Sequence, residues 1–82
     1  MDPIVPTAEE IARHYSALFD SVAVVNDYLA GNKPKFMSDD DFKASLDRNV
    51  SHLEIMVARD FWTTEDMSAV EAAITAGKAA LG

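Results

Sequence analysis

The side chains that could perform acid–base chemistry or hold a metal ion are few, and their spacing suits neither task. The chain has two histidines, His14 and His52, and no cysteine. Each histidine has a charged residue four positions before it, Glu10 and Arg48 respectively. Dimetal sites in helical bundles instead use Glu-x-x-His motifs, and zinc sites combine several histidines or cysteines. We therefore expect no metal site, and we expect both histidines on polar helix faces.

Ser21 is the candidate for a covalently modified side chain. It lies in the stretch FDSVAVV, which resembles the Asp-Ser-Leu motif of acyl carrier proteins, where the serine carries phosphopantetheine at the start of a helix. The size and acidity of the chain agree with that family, but the position does not, because Ser21 falls in the middle of the first helical pattern. We expect a solvent-facing helix serine, and a carrier protein is the third functional hypothesis.

Other catalytic arrangements are also missing from the sequence. The three glycines, Gly31, Gly77 and Gly82, are too far apart to form a phosphate-binding loop. No Ser-His-acid order stands out, and three short helices offer little concavity for a substrate. We expect no enzymatic activity and no cofactor.

Length and composition favour one small domain. The 82 residues are 49% hydrophobic, which is enough for a core in a single domain over residues 1–82. The apolar runs are far shorter than the ~20 residues of a membrane helix, and the N-terminus lacks the features of a secretory signal. We expect a cytoplasmic protein that does not bind membranes.

Three start signals of the same kind predict three helices. Thr7, Ser38 and Thr63 are each followed three residues later by an acid, as in a capping box. Apolar residues at steps of three and four follow each signal. The predicted helices span about residues 8–30, 39–60 and 64–80. Because short connections make consecutive helices antiparallel, the predicted fold class is all-α, an up-down-up three-helix bundle.

The apolar steps also predict which residues form the core. The predicted faces are Ile11, Tyr15, Leu18, Val22, Val25 and Leu29; then Phe42, Leu46, Val50, Leu53 and Val57; then Met67, Val70, Ile74, Gly77 and Leu81. Glycine inside a helix costs about 1 kcal/mol relative to alanine. Gly77 therefore marks either the close approach of a neighbouring helix or a frayed last turn.

The single tryptophan precedes the third start signal. With Thr63 as the cap, Trp62 and Met67 hold the two positions of a hydrophobic staple. Phe61 would then close the bottom of the second helix. Trp62 could instead be an anchor for a partner, but we expect a structural clamp.

The net charge of −7 disfavours direct nucleic-acid binding, which needs clustered Lys and Arg. An acidic mimic of DNA that inhibits a nucleic-acid-binding protein is the alternative function. Half of the 14 acids, however, fall in predicted first turns, where they complement the helix macrodipole. These are Glu9, Glu10, Asp39, Asp40, Asp41, Glu65 and Asp66.

A few large apolar residues lie outside the predicted core faces and are candidate contacts for a protein partner or a second copy of the chain. Val24 and Tyr28 are one turn apart and could form a contact patch. An apolar surface that binds nothing is equally compatible with the sequence. The candidates are Val24, Tyr28, Phe36 and Ile55.

The stretches RNVSHLEIMVARDFW and AAITAGKAALG, which lie in the C-terminal half, resemble small uncharacterised proteins encoded by tailed bacteriophages. The resemblance carries no catalytic or binding motif. It implies a virion component or an accessory protein made during infection. The sequence as a whole favours a small acidic helical protein that works by contact, as an adaptor, an inhibitor or a virion subunit.

Overall fold

The computed structural model describes residues 7–59, 62 and 65–82 and consists of three α-helices. Helix α1 spans Ala8–Ala30, α2 spans Asp39–Val57 and α3 spans Ser68–Leu81. Each helix packs against the other two, and no strand occurs in the described part of the chain. The all-α fold class is confirmed.

Contacts between the helices establish the up-down-up arrangement. The ring of Tyr28 near the end of α1 packs against that of Phe42 at the start of α2, so these two helices run in opposite directions. Near the end of α3, Gly77 lies against Leu46 and Val50 in the middle of α2. At the other end of α3, Met67 and Trp62 pack against the core beside the end of α2.

The predicted caps at the starts of α1 and α2 are confirmed. The Thr7 hydroxyl accepts the backbone N–H of Glu10 at 3.1 Å, and the Ser38 hydroxyl accepts that of Asp41 at 3.1 Å. Each bond satisfies a backbone donor that the first helical turn leaves without an intrahelical acceptor.

The boundary between α2 and α3 differs from the sequence prediction. Helix α2 ends at Val57 instead of residue 60, and α3 begins at Ser68 instead of residue 64. The Asp66 carboxylate accepts both the N–H and the hydroxyl of Ser68, at 3.0 and 2.6 Å. These bonds lower the pKa of Asp66 and give an acceptor to the N–H of Ser68, the first residue of the observed helix. The roles predicted for Thr63 and Phe61 lie outside the described residues.

Trp62 connects the end of α2 with α1. Its indole N–H donates to the backbone carbonyl of Met56 at 2.6 Å, and its ring lies 6.2 Å from that of Tyr15 on α1. The Tyr15 hydroxyl in turn donates to the carbonyl of Asp66 at 2.7 Å. These contacts support the predicted structural role of Trp62. The predicted staple geometry is wrong, because a helix that starts at Ser68 does not place Trp62 and Met67 at its staple positions.

The core consists of apolar residues from all three helices, and most of them lie on the predicted faces. The buried set, called the core cluster below, is Leu18, Val22, Val25, Leu46, Val50, Leu53, Val70 and Ala73. Ser21 is buried beside it, with 8% of its surface exposed, so the expectation of a solvent-facing serine is wrong. Its position on the inner side of α1 leaves little room for a bulky covalent group.

The end of α1 also departs from the predicted core face. Tyr28 packs against the core cluster, whereas Leu29 is 47% exposed. The structure thus contradicts our placement of Tyr28 outside the core and of Leu29 within it. Val25 lies beside Gly77, so Leu29, one turn further on, is level with the last residues of α3 and has little helix to cover it.

Gly77 lies where α3 approaches both other helices. A Cβ atom built there would overlap Val50 Cγ2 and would contact Val25 Cγ1 at 3.5 Å and Leu46 Cδ1 at 3.6 Å. Gly77 is buried within α3. Of the two interpretations of this glycine, close approach of neighbouring helices is the one that the structure supports.

We expect Gly77→Ala to lower the free energy of unfolding by up to about 2 kcal/mol, because overpacking of the core, at about 1–3 kcal/mol, outweighs the gain of about 1 kcal/mol in helix propensity. Urea unfolding followed by circular dichroism measures the change. Adding Val50→Ala should make the double variant less unstable than the sum of the single effects. A more stable Gly77→Ala variant would contradict the close approach.

Substitutions of Trp62 separate its hydrogen bond from its ring packing. Trp62→Phe keeps an aromatic ring and loses the donor to Met56, so we expect a loss of about 1 kcal/mol. Trp62→Ala also loses the packing against Tyr15, and we expect a loss near the lower end of the ~3–5 kcal/mol range for large aromatics. The same unfolding measurement applies. Unchanged stability of Trp62→Ala would mean that the residue is not a clamp.

Candidate contact surface

The segment between α1 and α2 begins with a helix stop that fixes its direction. Gly31 has a φ of 77°, in the left-handed region that glycine adopts without strain. Its N–H donates to the Tyr28 carbonyl at 3.1 Å, and the N–H of Asn32 donates to the Asp27 carbonyl at 2.8 Å. This pair of bonds is a Schellman motif, which satisfies the last carbonyls of α1.

A salt bridge ties the middle of the segment to α2. Lys33 Nζ lies 2.7 Å from Asp39 Oδ1 in the first turn of α2. The hydrogen bond and the positive charge of Lys33 lower the pKa of the Asp39 carboxyl. Exposed pairs of this kind contribute little to stability, because water screens the charges. Its effect here is to restrict where the residues between Lys33 and Ser38 can go.

Those residues form a β-turn with a residue that such turns rarely use. The N–H of Met37 donates to the Pro34 carbonyl at 3.3 Å, and Phe36, the third residue of the turn, has a φ of 67°. A positive φ at this position is the mark of a type II turn, which normally has glycine or asparagine there. Within the described residues, Phe36 is the only non-glycine residue with a positive φ.

The Phe36 side chain gains no packing from this conformation. It is fully exposed, at 105% of its reference area, whereas the neighbouring Met37 is half-buried. A left-handed conformation costs a residue with a Cβ about 1–2 kcal/mol. The loop therefore displays an aromatic ring in water and carries backbone strain at the same residue.

A recess of about 220 Å³ lies beside this turn. We call it the loop recess. Its apolar walls come from α1, the loop and α2, and two polar residues complete its lining. The lining residues are Val24, Asp27, Pro34, Met37, Phe42 and Ser45.

The candidate contact residues divide into one group and one separate residue. Val24 lines the loop recess, Phe36 extends from the turn beside it, and Tyr28 packs against Phe42 with ring centroids 4.8 Å apart. Ile55 is 59% exposed but lies 13 residues along α2 from Phe42, which is roughly 20 Å. The structure therefore does not join Ile55 to the others.

Sequence reasoning missed the loop recess, although one signal was available. Met37 and Phe42 hold the two staple positions around the Ser38 cap, and both are half-buried in the lining of the recess. A staple brings the residue before a helix against its first turn, so it also implied an apolar surface next to Phe36.

The other described surfaces are less suited to binding a ligand or a partner. A shallow cleft of about 470 Å³ between α2 and α3 is lined by Glu54, Val57, Ala58, Glu71, Ile74 and Thr75. Among the described residues, no three His, Cys, Asp or Glu side chains are grouped closely enough to hold a metal ion. His14 and His52 are both exposed. No helix in the described ranges is both long and apolar enough to cross a bilayer.

Comparisons with known proteins give no further guide to the site. The chain matches no protein-family model, no curated protein sequence and no solved structure.

Replacing Phe36 by glycine should raise the free energy of unfolding by about 1 kcal/mol, because the strain is relieved and an exposed ring contributes no packing. Lys35→Gly, at the adjacent position without a positive φ, is the matched control and should destabilise by about 0.5–1 kcal/mol. Thermal unfolding of both variants gives the comparison. A destabilised Phe36→Gly would show that the ring supports the fold.

Proposed function

We propose that this protein acts by binding another protein through the loop between α1 and α2, with Phe36 as the anchor residue. The observation that carries the proposal is the fully exposed ring of Phe36 on a backbone of positive φ. Strained residues of this kind occur mostly at functional sites, where the strain serves a purpose other than folding. Here folding gains nothing from the ring.

The fixed geometry of the loop supports this function. The Schellman motif at Gly31, the salt bridge of Lys33 and the cap at Ser38 restrain the turn from both sides. A restrained segment loses less conformational entropy when it binds, so more of the contact energy is available for affinity. Aromatic residues are also enriched at the centres of protein interfaces.

Tyr28 and Val24 have supporting places in this proposal. Tyr28 packs against both the core cluster and Phe42, so it supports the position of Phe42 in the lining of the loop recess. Val24 offers an apolar wall of the loop recess beside the protruding ring. A partner that covers both features would bury one continuous surface. Ile55 lies outside that surface and serves as a control position.

The charge of the chain bears on the class of partner. A net charge of −7 repels nucleic-acid backbones, so the proposed partner is a protein. The resemblance to tailed-phage proteins is consistent with a contact role inside an infected cell or in a virion. In that setting, an adaptor, an inhibitor and a virion subunit would all use a contact surface of this kind.

The test is affinity capture from the organism that encodes the chain, with tagged wild type, Phe36→Ala and Ile55→Ala compared side by side. Loss of an aromatic anchor costs 2 kcal/mol or more, so we expect recovery of the specific partner to fall by roughly tenfold or more with Phe36→Ala. Ile55→Ala, which also removes an exposed large apolar side chain, should recover the partner normally.

Both variants should unfold at the same temperature as the wild type, because exposed side chains contribute little to stability. Equal recovery with all three proteins would contradict a contact role for the loop. Loss of the partner with Ile55→Ala alone would mean that the contact surface lies on α2 around Ile55.

A further inference from the structure

The exposed ring of Phe36 lies beside the loop recess, which is large enough to hold an aromatic ring. The loop recess measures about 220 Å³, and a cavity of about 150 Å³ is enough to hold benzene. Phe36 cannot fill its own recess, since its side chain is fully exposed. Pro34 and Met37, on either side of the Lys35–Phe36 pair, line the recess, whereas Phe36 does not.

We propose that the occupant of the loop recess is Phe36 of a second copy of this chain. This inference rests on the proposed contact function of the loop and names its partner. When a ring and its receiving recess share one surface patch, a two-fold axis through that patch inserts both rings at once. The phenyl group would meet Val24, Met37 and Phe42, which are all apolar.

The charges at the rim are complementary in the same arrangement. Lys35 precedes Phe36 and is exposed, and Asp27 lines the loop recess into which the partner ring inserts. Two-fold symmetry brings Lys35 of each copy towards Asp27 of the other. Lys33 already pairs with Asp39 within its own chain, so it stabilises the loop instead of the interface.

The expected dimer is weak. The patch comprises Lys35, Phe36 and the six residues that line the loop recess, whereas a standard stable interface uses roughly 20–30 residues from each partner. The net charge of −7 on each copy also repels the other at a distance. We therefore expect a monomer–dimer equilibrium with a dissociation constant above the micromolar range.

Sedimentation over a range of concentrations tests the equilibrium. Wild type and Ile55→Ala should show the same dimerisation, whereas Phe36→Ala should dimerise roughly tenfold or more weakly. A wild type that is monomeric throughout, or dimerisation that Phe36→Ala leaves intact, would overturn the second-copy assignment.

Cysteine cross-linking tests the geometry, since the chain has no cysteine of its own. Lys35→Cys mixed with Asp27→Cys should form a disulfide-linked pair on mild oxidation. Asp20→Cys is the matched control, because Asp20 is an exposed aspartate two turns earlier on α1, and its mixture with Lys35→Cys should link several-fold less. Equal yields from both mixtures would contradict the two-fold arrangement.

Different results would rule out the contact function of the loop and the second copy as its partner. If Phe36→Ala abolishes capture of a different protein while the wild type remains monomeric, the contact function stands and the second copy is the wrong partner. If Phe36→Ala changes neither capture nor self-association, both the contact function and the dimer are wrong.

Discussion

The close approach of α3 to the other two helices at Gly77 is the constraint on which the rest of the structure depends. Without a side chain at this position, Val25 of α1 and Val50 and Leu46 of α2 meet α3 directly. Three helices of this length have few large buried residues to share, and a chain of about 80 residues has a thin stability margin. Tight packing at Gly77 lets that small set form one continuous core.

The two ends of the bundle are closed by different means. At one end Trp62 and Tyr15 use aromatic packing and two hydrogen bonds to backbone carbonyls. At the other end Tyr28 packs against Phe42, and the loop that follows is fixed by helix caps. The first end uses its aromatic side chains within the fold. The second leaves Phe36 outside it, and this difference is the physical basis for placing the contact surface there.

The sequence predicted the features that depend on local chemistry. The caps at Thr7 and Ser38 and the apolar spacing of the core need only a few neighbouring residues, so they could be inferred directly. The start of α3 could not be inferred in this way. Thr63 and Asp66 both precede an apolar pattern, and tertiary contacts decide which of them stands next to the start of the helix. Tyr15, which is distant in sequence, donates a hydrogen bond to the carbonyl of Asp66. Trp62, which lies outside the helices, donates one to the carbonyl of Met56.

The errors along α1 have a related cause. Helical periodicity defines a face but not how far the neighbouring helices extend over it. Leu29 lies on the predicted face near the point where α3 ends, and Tyr28 finds cover from Phe42 instead. Ser21 lies towards the side where the helices meet and is buried there. Phe36 was identified as a candidate because it lies in the predicted loop, outside the predicted core faces. Its left-handed backbone could not be inferred, because the residue type argues against it.

The central claim is that Phe36 is held in a left-handed conformation with its ring directed away from its own core. Nuclear Overhauser spectra of the labelled chain test this claim most directly. A strong cross-peak between the amide and α protons of Phe36 is expected, as a positive φ requires. Ring contacts to Val24 and Phe42 that appear at high concentration and disappear on dilution are also expected. A weak amide–α cross-peak, or ring contacts to the core that persist at every dilution, would contradict the central claim.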